Sequence, residues 1–383
     1  MAVVPADRLA ARVARVRSHL AEAGFDALLV THLPNLFYLT GFRATAGAAL
    51  VTPGQLILVA DFRYRVAAEA AVSALASRTG ARLCPAPQGI DEAVADAIRS
   101  ARAARVGAEG AHLSVSRFEW LTKTLQSSDA EPGGDVRLVS TERLVERERA
   151  VKDDFEIDIL KEAGRRLSAV APLAARFARA GRLEREVASD IDHAVRQAGF
   201  ERPAFETIVA SGPNSALPHA RPTERALAIG EAVVLDFGGV YDGYCVDLTR
   251  TVSVGKPTDE VERLHQAVAE AQAAALAAVR SGVLASAVDG AARQVLERLG
   301  LAEAFGHGTG HGLGLEVHEE PRIGRVVPGL ADAVLERGMV ITIEPGVYLP
   351  LTGGVRIEDD VLVTGGGCEL LTNAPRTLTF HLA

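Results

Sequence analysis

The chain of 383 residues is longer than one ordinary hydrophobic core holds, so two domains are expected. Apolar residues at 48% and charged residues at 23% exclude a wholly disordered chain, and no stretch reaches the roughly eighteen uninterrupted apolar residues of a membrane span. A net charge of −8 argues against general nucleic-acid or membrane-surface binding, and three distant cysteines (Cys84, Cys245, Cys368) give neither a disulfide framework nor a paired thiolate site.

A reducing, cytoplasmic location is therefore the expectation. Asp7, Arg8, Arg12, Arg15 and Arg17 interrupt the start of the chain, which does not read as an apolar leader. Leu9, Val13, Val16 and Leu20 recur at helical spacing instead, predicting a surface helix that ends near Gly24. Ala27 to Val30 reads as a buried strand and Asn35 to Phe42 as a turn leading into aromatic residues. Ala48 to Val51 and Leu56 to Ala60 flank Pro53-Gly54, a hairpin pattern. Helices are expected over 64–79 and 91–104, with short strands near 82–85 and 136–139. Residues 1–140 thus form an α/β or α+β unit, and the charged run 141–153 is a linker. Residues 154–383 differ in kind. Helical patterns near 153–180 and 184–199 precede a strand-rich stretch from 206 to 254. Two more helices, near 258–281 and 286–299, lead into glycine-rich strands, giving an α+β domain with helices around an antiparallel sheet.

Several signatures are missing: no G-x-S-x-G, no G-x-x-x-x-G-K-[ST], no H-E-x-x-H and no G-x-G-x-x-G. Acidic and histidine residues remain. Asp236 ends an apolar run before Gly238-Gly239, and Asp247 lies on the return strand beyond Tyr241-Asp242-Gly243, so a hairpin brings the two carboxylates together. Taken alone, that hairpin reads as one salt-bridged Asp and one turn Asp. The run His307 to Glu319 then packs His307, His311 and His318 among glycines, more than isolated structural histidines would require. Glu344 follows the apolar strand Met339 to Ile343, and Arg356, Glu358 and Asp360 alternate onto one face. Four carboxylates with imidazole suit a pair of hard or borderline cations, Mn²⁺ above all, better than a structural zinc.

The run His307 to Glu319, with Asp236, Asp247, His311, Glu344 and Glu358 in that order, resembles the M24 "pita-bread" metallopeptidases of the aminopeptidase P and prolidase type. The resemblance spans the chain. It implies a creatinase-type N-terminal domain and a pita-bread catalytic domain with a curved antiparallel sheet enclosed by helices. It further implies two divalent metal ions, Mn²⁺ first, with Co²⁺, Zn²⁺ or Fe²⁺ as alternatives. Asp236, Asp247, His311, Glu344 and Glu358 would be the ligands, with Glu344 also taking a proton from water. His219 and His318 resemble the substrate-contacting histidines, and Arg356 the arginine that orients the carboxylates. The implied activity is Xaa-Pro aminopeptidase, favoured by Tyr38-Leu39-Thr40-Gly41-Phe42 and Asp61-Phe62-Arg63-Tyr64; prolidase is the alternative. A metal-free creatinase-like hydrolase or a non-enzymatic pita-bread module is more remote, since both lose ligands that are present here. The expected partners are a peptide with proline at its second position and further copies of the chain, as a homodimer or higher oligomer, with no nucleic acid and no membrane. His307 is expected to be structural and Cys245 a small buried apolar residue. Asp242, Asp359 and Asp360 are expected in turns or solvent.

Overall fold

The computed structural model describes residues 2–126, 136–350, 352–378 and 380–381. Internal contacts separate two units, Met1–Arg149 and Ala150–Ala383. No helix among the described residues is long and apolar enough to cross a membrane.

In the first unit the order is α1 (Ala6–Glu22), β1 (Ala27–Val30), α2 (Leu33–Thr40), β2 (Ala48–Val51), β3 (Leu56–Ala60), α3 (Arg65–Thr79), β4 (Ala81–Pro85), α4 (Ile90–Ala101), β5 (Arg105–Glu109), α5 (Val115–Gln126) and β6 (Arg137–Thr141). A short helix, α6 (Glu146–Ala150), falls inside the segment expected as linker. The strands form one mixed sheet in the order β4-β3-β2-β1-β5-β6. Its central strands are buried throughout, which is why their sequences read as unbroken apolar runs rather than alternations. The apolar stripe of α4, with Val94, Ala97 and Ile98, packs against Leu29, Leu50 and Ile57 of this sheet. Residues 35–42 differ from expectation. They belong mostly to α2, which starts with a proline in its first turn and buries every residue from Asn35 to Thr40. A helix buried all round shows no amphipathic period, so its pattern looked like a turn.

The second unit opens with α7 (Asp154–Phe177), capped reciprocally by Asp153 and Glu156, followed by α8 (Glu184–Gln197). The strands β7 (Arg202–Pro203), β8 (Ile208–Ser211), β9 (Ala232–Tyr241) and β10 (Tyr244–Val254) come next. Helices α9 (Asp259–Ala278) and α10 (Ala285–Arg298) lead into β11 (Gly310–Gly312), β12 (Glu319–Ile323), β13 (Val340–Ile343), β14 (Gly346–Leu349), β15 (Gly353–Arg356), β16 (Asp359–Val363), β17 (Cys368–Leu370) and β18 (Phe380–His381). One sheet runs β18-β10-β9-β7 with β8 also on β9; another runs β12-β11-β13-β16-β17; β14 pairs with β15.

Among the described residues, two apolar clusters position the site in this unit. Leu160, Leu167, Ile191 and Val195 of α7 and α8 pack on Val233, Leu235, Val246 and Leu248. Leu264, Val268 and Val288 of α9 and α10 pack on Ile341, Ile343, Val347 and Val361. Strand periodicity decides what the other face carries. With Val233, Leu235 and Phe237 turned to the α7–α8 cluster, Asp236 turns away from it. With Tyr244, Val246 and Leu248 turned likewise, Asp247 and Thr249 share the opposite face of β10.

Candidate metal centre

The β9–β10 hairpin closes through Asp242 and Gly243, both at positive φ (47° and 88°), the left-handed pair of a two-residue hairpin turn. That turn sets the register. Asp236 lies opposite Thr249 and Asp247 opposite Gly238, so the two carboxylates are diagonal neighbours on one face. Arg356 donates to Asp236 Oδ2 at 2.5 Å, to the Tyr348 hydroxyl at 2.8 Å and to the Pro218 carbonyl at 3.2 Å. The guanidinium therefore ties the Asp236 carboxylate to the segment bearing His219.

His311 sits on β11, the strand between β12 and β13. A glycine is required beside it. A Cβ on Gly310 would stand 2.0 Å from the Thr342 carbonyl oxygen. The preceding loop is held from α10: Asp289 accepts from the Thr309 amide and hydroxyl, while Arg293 bonds Asp289 and the Phe305 carbonyl. His311 Nδ1 lies 2.9 Å from the Gly312 carbonyl, which can only accept, so Nδ1 carries the proton and Nε2 presents a lone pair. Burial lowers the imidazole's pKa and favours that neutral form. Nε2 lies 3.4 Å from Glu344 Oε1, and the Glu344 amide donates to the Thr309 carbonyl at 2.7 Å.

Glu358 lies between β15 and β16. Its Oε2 accepts from the Thr249 hydroxyl at 2.6 Å. One potential ligand atom from each of Asp247, His311 and Glu358 falls within a mutual 4.8 Å, and Glu344 and Asp236 adjoin that group through His311 and β9. All five residues read from the sequence thus converge. Burial, then Glu358 and Asp236, raise the Asp247 carboxyl well above its ordinary range; burial, then Glu344 and Asp236, do the same to Glu358. Burial also raises Glu344. Asp236 Oδ1 and Asp247 Oδ1 are buried without a hydrogen-bond partner. Crowded carboxylates with orphaned oxygens are costly unless a cation joins them. An oxygen-rich donor set with one neutral imidazole fits divalent cations of the Mn²⁺ type.

His318 is exposed, and its ring meets that of His311 edge-on at 4.4 Å between centroids. His219 is also exposed, near enough to His307 and His318 for its charge to act on both. His307 bonds the Gly308 carbonyl and, at 2.9 Å, the Tyr348 hydroxyl. Cys245 is buried, its thiol pushed up to about 12 by that burial.

The expectation for Asp359 and Asp360 fails. Both are fully buried. Asp359 pairs with Arg250 and Arg376, while Asp360 accepts the Asp247 amide at 2.9 Å. The expected single strand through Arg356, Glu358 and Asp360 is also broken, because β15 pairs with β14 whereas β16 pairs with β13. The sequence reading missed two residues of the site. Thr249 could have been found from its two-residue spacing to Asp247 on one strand face. Tyr348, which joins His307 to Arg356, carries no such signal.

The model of "Metallopeptidase family M24" matches residues 158–365, and that of the "Creatinase/Prolidase N-terminal domain" matches residues 12–151. An Xaa-Pro dipeptidase of Pyrococcus horikoshii is 32% identical, the match covering 96% of this chain and 98% of the relative. Among solved structures, an Xaa-Pro dipeptidase from Bacillus anthracis superposes with a TM-score of 0.88 at 35% identity, covering 97% of this chain and 100% of the other. An X-Pro aminopeptidase from Thermotoga maritima superposes with 0.81 at 33% identity, covering 94% and 98%.

Proposed function

The chain belongs to metallopeptidase family M24, and from that premise we propose that it hydrolyses the peptide bond preceding proline, with Xaa-Pro dipeptides as its preferred substrates. Its fold is that of the family, a creatinase-type N-terminal domain followed by a pita-bread catalytic domain. The observation that carries the proposal is the convergence of buried Asp247 and Glu358 with half-buried His311, beside Asp236 and Glu344.

The family implies divalent metal ions, and we assign a pair, Mn²⁺ in the first instance, to Asp236, Asp247, His311, Glu344 and Glu358. When bound, such cations supply Lewis acidity and a water acidic enough to attack an amide near neutral pH. The chain's own groups do the rest. Glu344, whose Oε1 lies 3.4 Å from His311 Nε2, accepts the proton of the attacking water at a carboxylate oxygen. His219 and His318, both exposed beside the cluster, hydrogen-bond the substrate carbonyl as negative charge develops there. Arg356 holds the Asp236 carboxylate in place. Proline lacks an N–H, so the residue beyond the scissile bond is selected by ring shape and by its carbonyl or carboxylate.

The dipeptide is favoured over longer peptides because the relatives from Pyrococcus horikoshii and Bacillus anthracis carry the name Xaa-Pro dipeptidase. That reverses the lean towards aminopeptidase drawn from the N-terminal motifs. The Thermotoga maritima neighbour keeps the aminopeptidase as the second reading. Three free cysteines agree with a reducing, cytoplasmic setting, and a homo-oligomer is the assembly proposed. The deciding experiment compares kcat/KM for an Xaa-Pro dipeptide and the matching Xaa-Pro-Yaa tripeptide in Mn²⁺. A higher value for the dipeptide supports the proposal, and a higher value for the tripeptide makes the enzyme an aminopeptidase.

A further inference from the structure

Glu358 occupies an unusual place for a residue that must hold a carboxylate still. Residues 357 and 358 lie in the gap between β15 and β16, so neither sheet ladder fixes the Glu358 backbone. Its constraints come instead from two consecutive residues of β10. The Glu358 amide donates to the Thr249 carbonyl at 3.1 Å, and the Thr249 hydroxyl donates to Glu358 Oε2 at 2.6 Å. The Glu358 carbonyl accepts from Arg250 Nη1 at 2.5 Å.

Arg250 is buried, and every one of its donor positions is taken. Nη1 also reaches the Thr249 carbonyl at 2.8 Å, Nη2 reaches Asp359 Oδ1 at 2.6 Å and the Ala374 carbonyl at 2.7 Å, and Nε reaches the Pro375 carbonyl at 2.9 Å. Asp359 is in turn gripped on its other oxygen by Arg376 at 2.7 Å and by Gln272 at 2.9 Å. A planar, five-donor fork can bind these acceptors at once; an ammonium of the same charge cannot. His265 stays neutral nearby, its pKa lowered to about 4 by burial and by the Arg250 charge, so Asp359 is the guanidinium's anionic partner.

We infer that Arg250, acting with Asp359 and Arg376, is a positioning residue that sets the Glu358 carboxylate for metal binding across the gap between β15 and β16. Arg250 touches neither substrate nor metal in this assignment. It acts through the Glu358 backbone and through Asp359, the next residue. The inference rests on the assignment of Glu358 as a metal ligand.

The test uses full-length wild-type, Arg250→Lys and Arg376→Gln proteins, stripped with chelator and titrated with Co²⁺ while the visible spectrum and Xaa-Pro hydrolysis are followed. Arg250→Lys keeps the charge and loses the fork. It should bind Co²⁺ about 10–100-fold more weakly, with an altered d–d band, and lose kcat by about the same factor, the usual size for removing a group that orients a ligand. KM should change by less than about threefold, because uniform substrate binding is untouched. Arg376→Gln should shift the spectrum in the same direction by less. A purely structural role for Arg250 would lower the melting temperature and leave the Co²⁺ spectrum and kcat as in wild type, and that result overturns the inference. Should Arg250→Lys not fold, Arg376→Gln decides: an altered Co²⁺ spectrum supports the clamp and an unaltered one overturns it. A wild-type protein that binds no Co²⁺ overturns the metal-site assignment itself and the inference with it.

Discussion

Replacing Asp247 by Asn separates the charge of this carboxylate from any part it has in holding the fold. Asp247 is buried, its Oδ1 has no partner, and its carboxylate accepts no hydrogen bond among the described residues. The bond from its backbone amide to Asp360 is untouched by the change. Asn therefore sacrifices no internal hydrogen bond and relieves the repulsion from Glu358, Asp236, Asp360 and Glu344. Metal-free Asp247→Asn should match or exceed metal-free wild type by about 1–2 kcal/mol, the scale of one pKa unit of like-charge interaction. The response to metal should go the other way. Mn²⁺ at about a hundred times its Kd stabilises a protein by about 2.7 kcal/mol. For a unit of this size that is about 5–11 °C in Tm. The variant should shift by less than about 2 °C under the same conditions. Thermal unfolding in chelator and in Mn²⁺ measures both effects. A variant several kcal/mol less stable without metal, yet with the full Mn²⁺ shift, would refute the reasoning.

Asp247, Glu344, Glu358 and Asp360 all have raised pKa values, so in the absence of metal the folded state holds their protons more tightly than the unfolded state. His265, His307, His311 and His318 have lowered pKa values and act in the opposite sense below about 7, so stability of the chelated protein should fall as pH rises from about 7 to 9, and a Tm that climbs over that range would contradict this. His219→Ala and His318→Ala should each retain the wild-type metal content and lose roughly 10²–10³ in kcat; loss of metal from both would make them ligands. Gly310→Ala forces β11 away from the Thr342 carbonyl, so urea unfolding should show a loss of about 1–3 kcal/mol together with weaker metal binding at His311. Cys245 should resist a thiol reagent at pH 8 until the chain is unfolded, since burial pushes its thiol up to about 12; rapid labelling of the native protein would count against that burial.

The parts of this site legible in the sequence were those governed by a short period or a tight turn. The turn at Asp242-Gly243 marked a hairpin that brings Asp236 and Asp247 together, and in the folded chain they share one face of it. The glycine spacing around His311 reflected a real close approach of backbones at Gly310. Where burial has no period the reading failed. Helix α2 is buried on all sides and passed for a turn. Asp359 and Asp360 looked solvated because the groups that satisfy Asp359, Arg250 and Gln272, lie on β10 and α9, far away in the chain. The break between β15 and β16 was equally hidden, since residues 354–361 keep a strand-like alternation through a gap that only pairing partners reveal. The choice between dipeptide and longer peptide depends on what surrounds the proline's far end, and no short motif encodes that.

The most direct test of the central claim is a titration of the chelated, full-length protein with Mn²⁺, with hydrolysis of an Xaa-Pro peptide and of its Xaa-Ala counterpart followed at each addition. Activity on the Xaa-Pro peptide should be absent at the start, rise with bound metal and level off at two Mn²⁺ per chain, while the Xaa-Ala peptide stays intact. Full activity in chelator, or equal cleavage of both peptides, would contradict a metal centre built for the bond before proline.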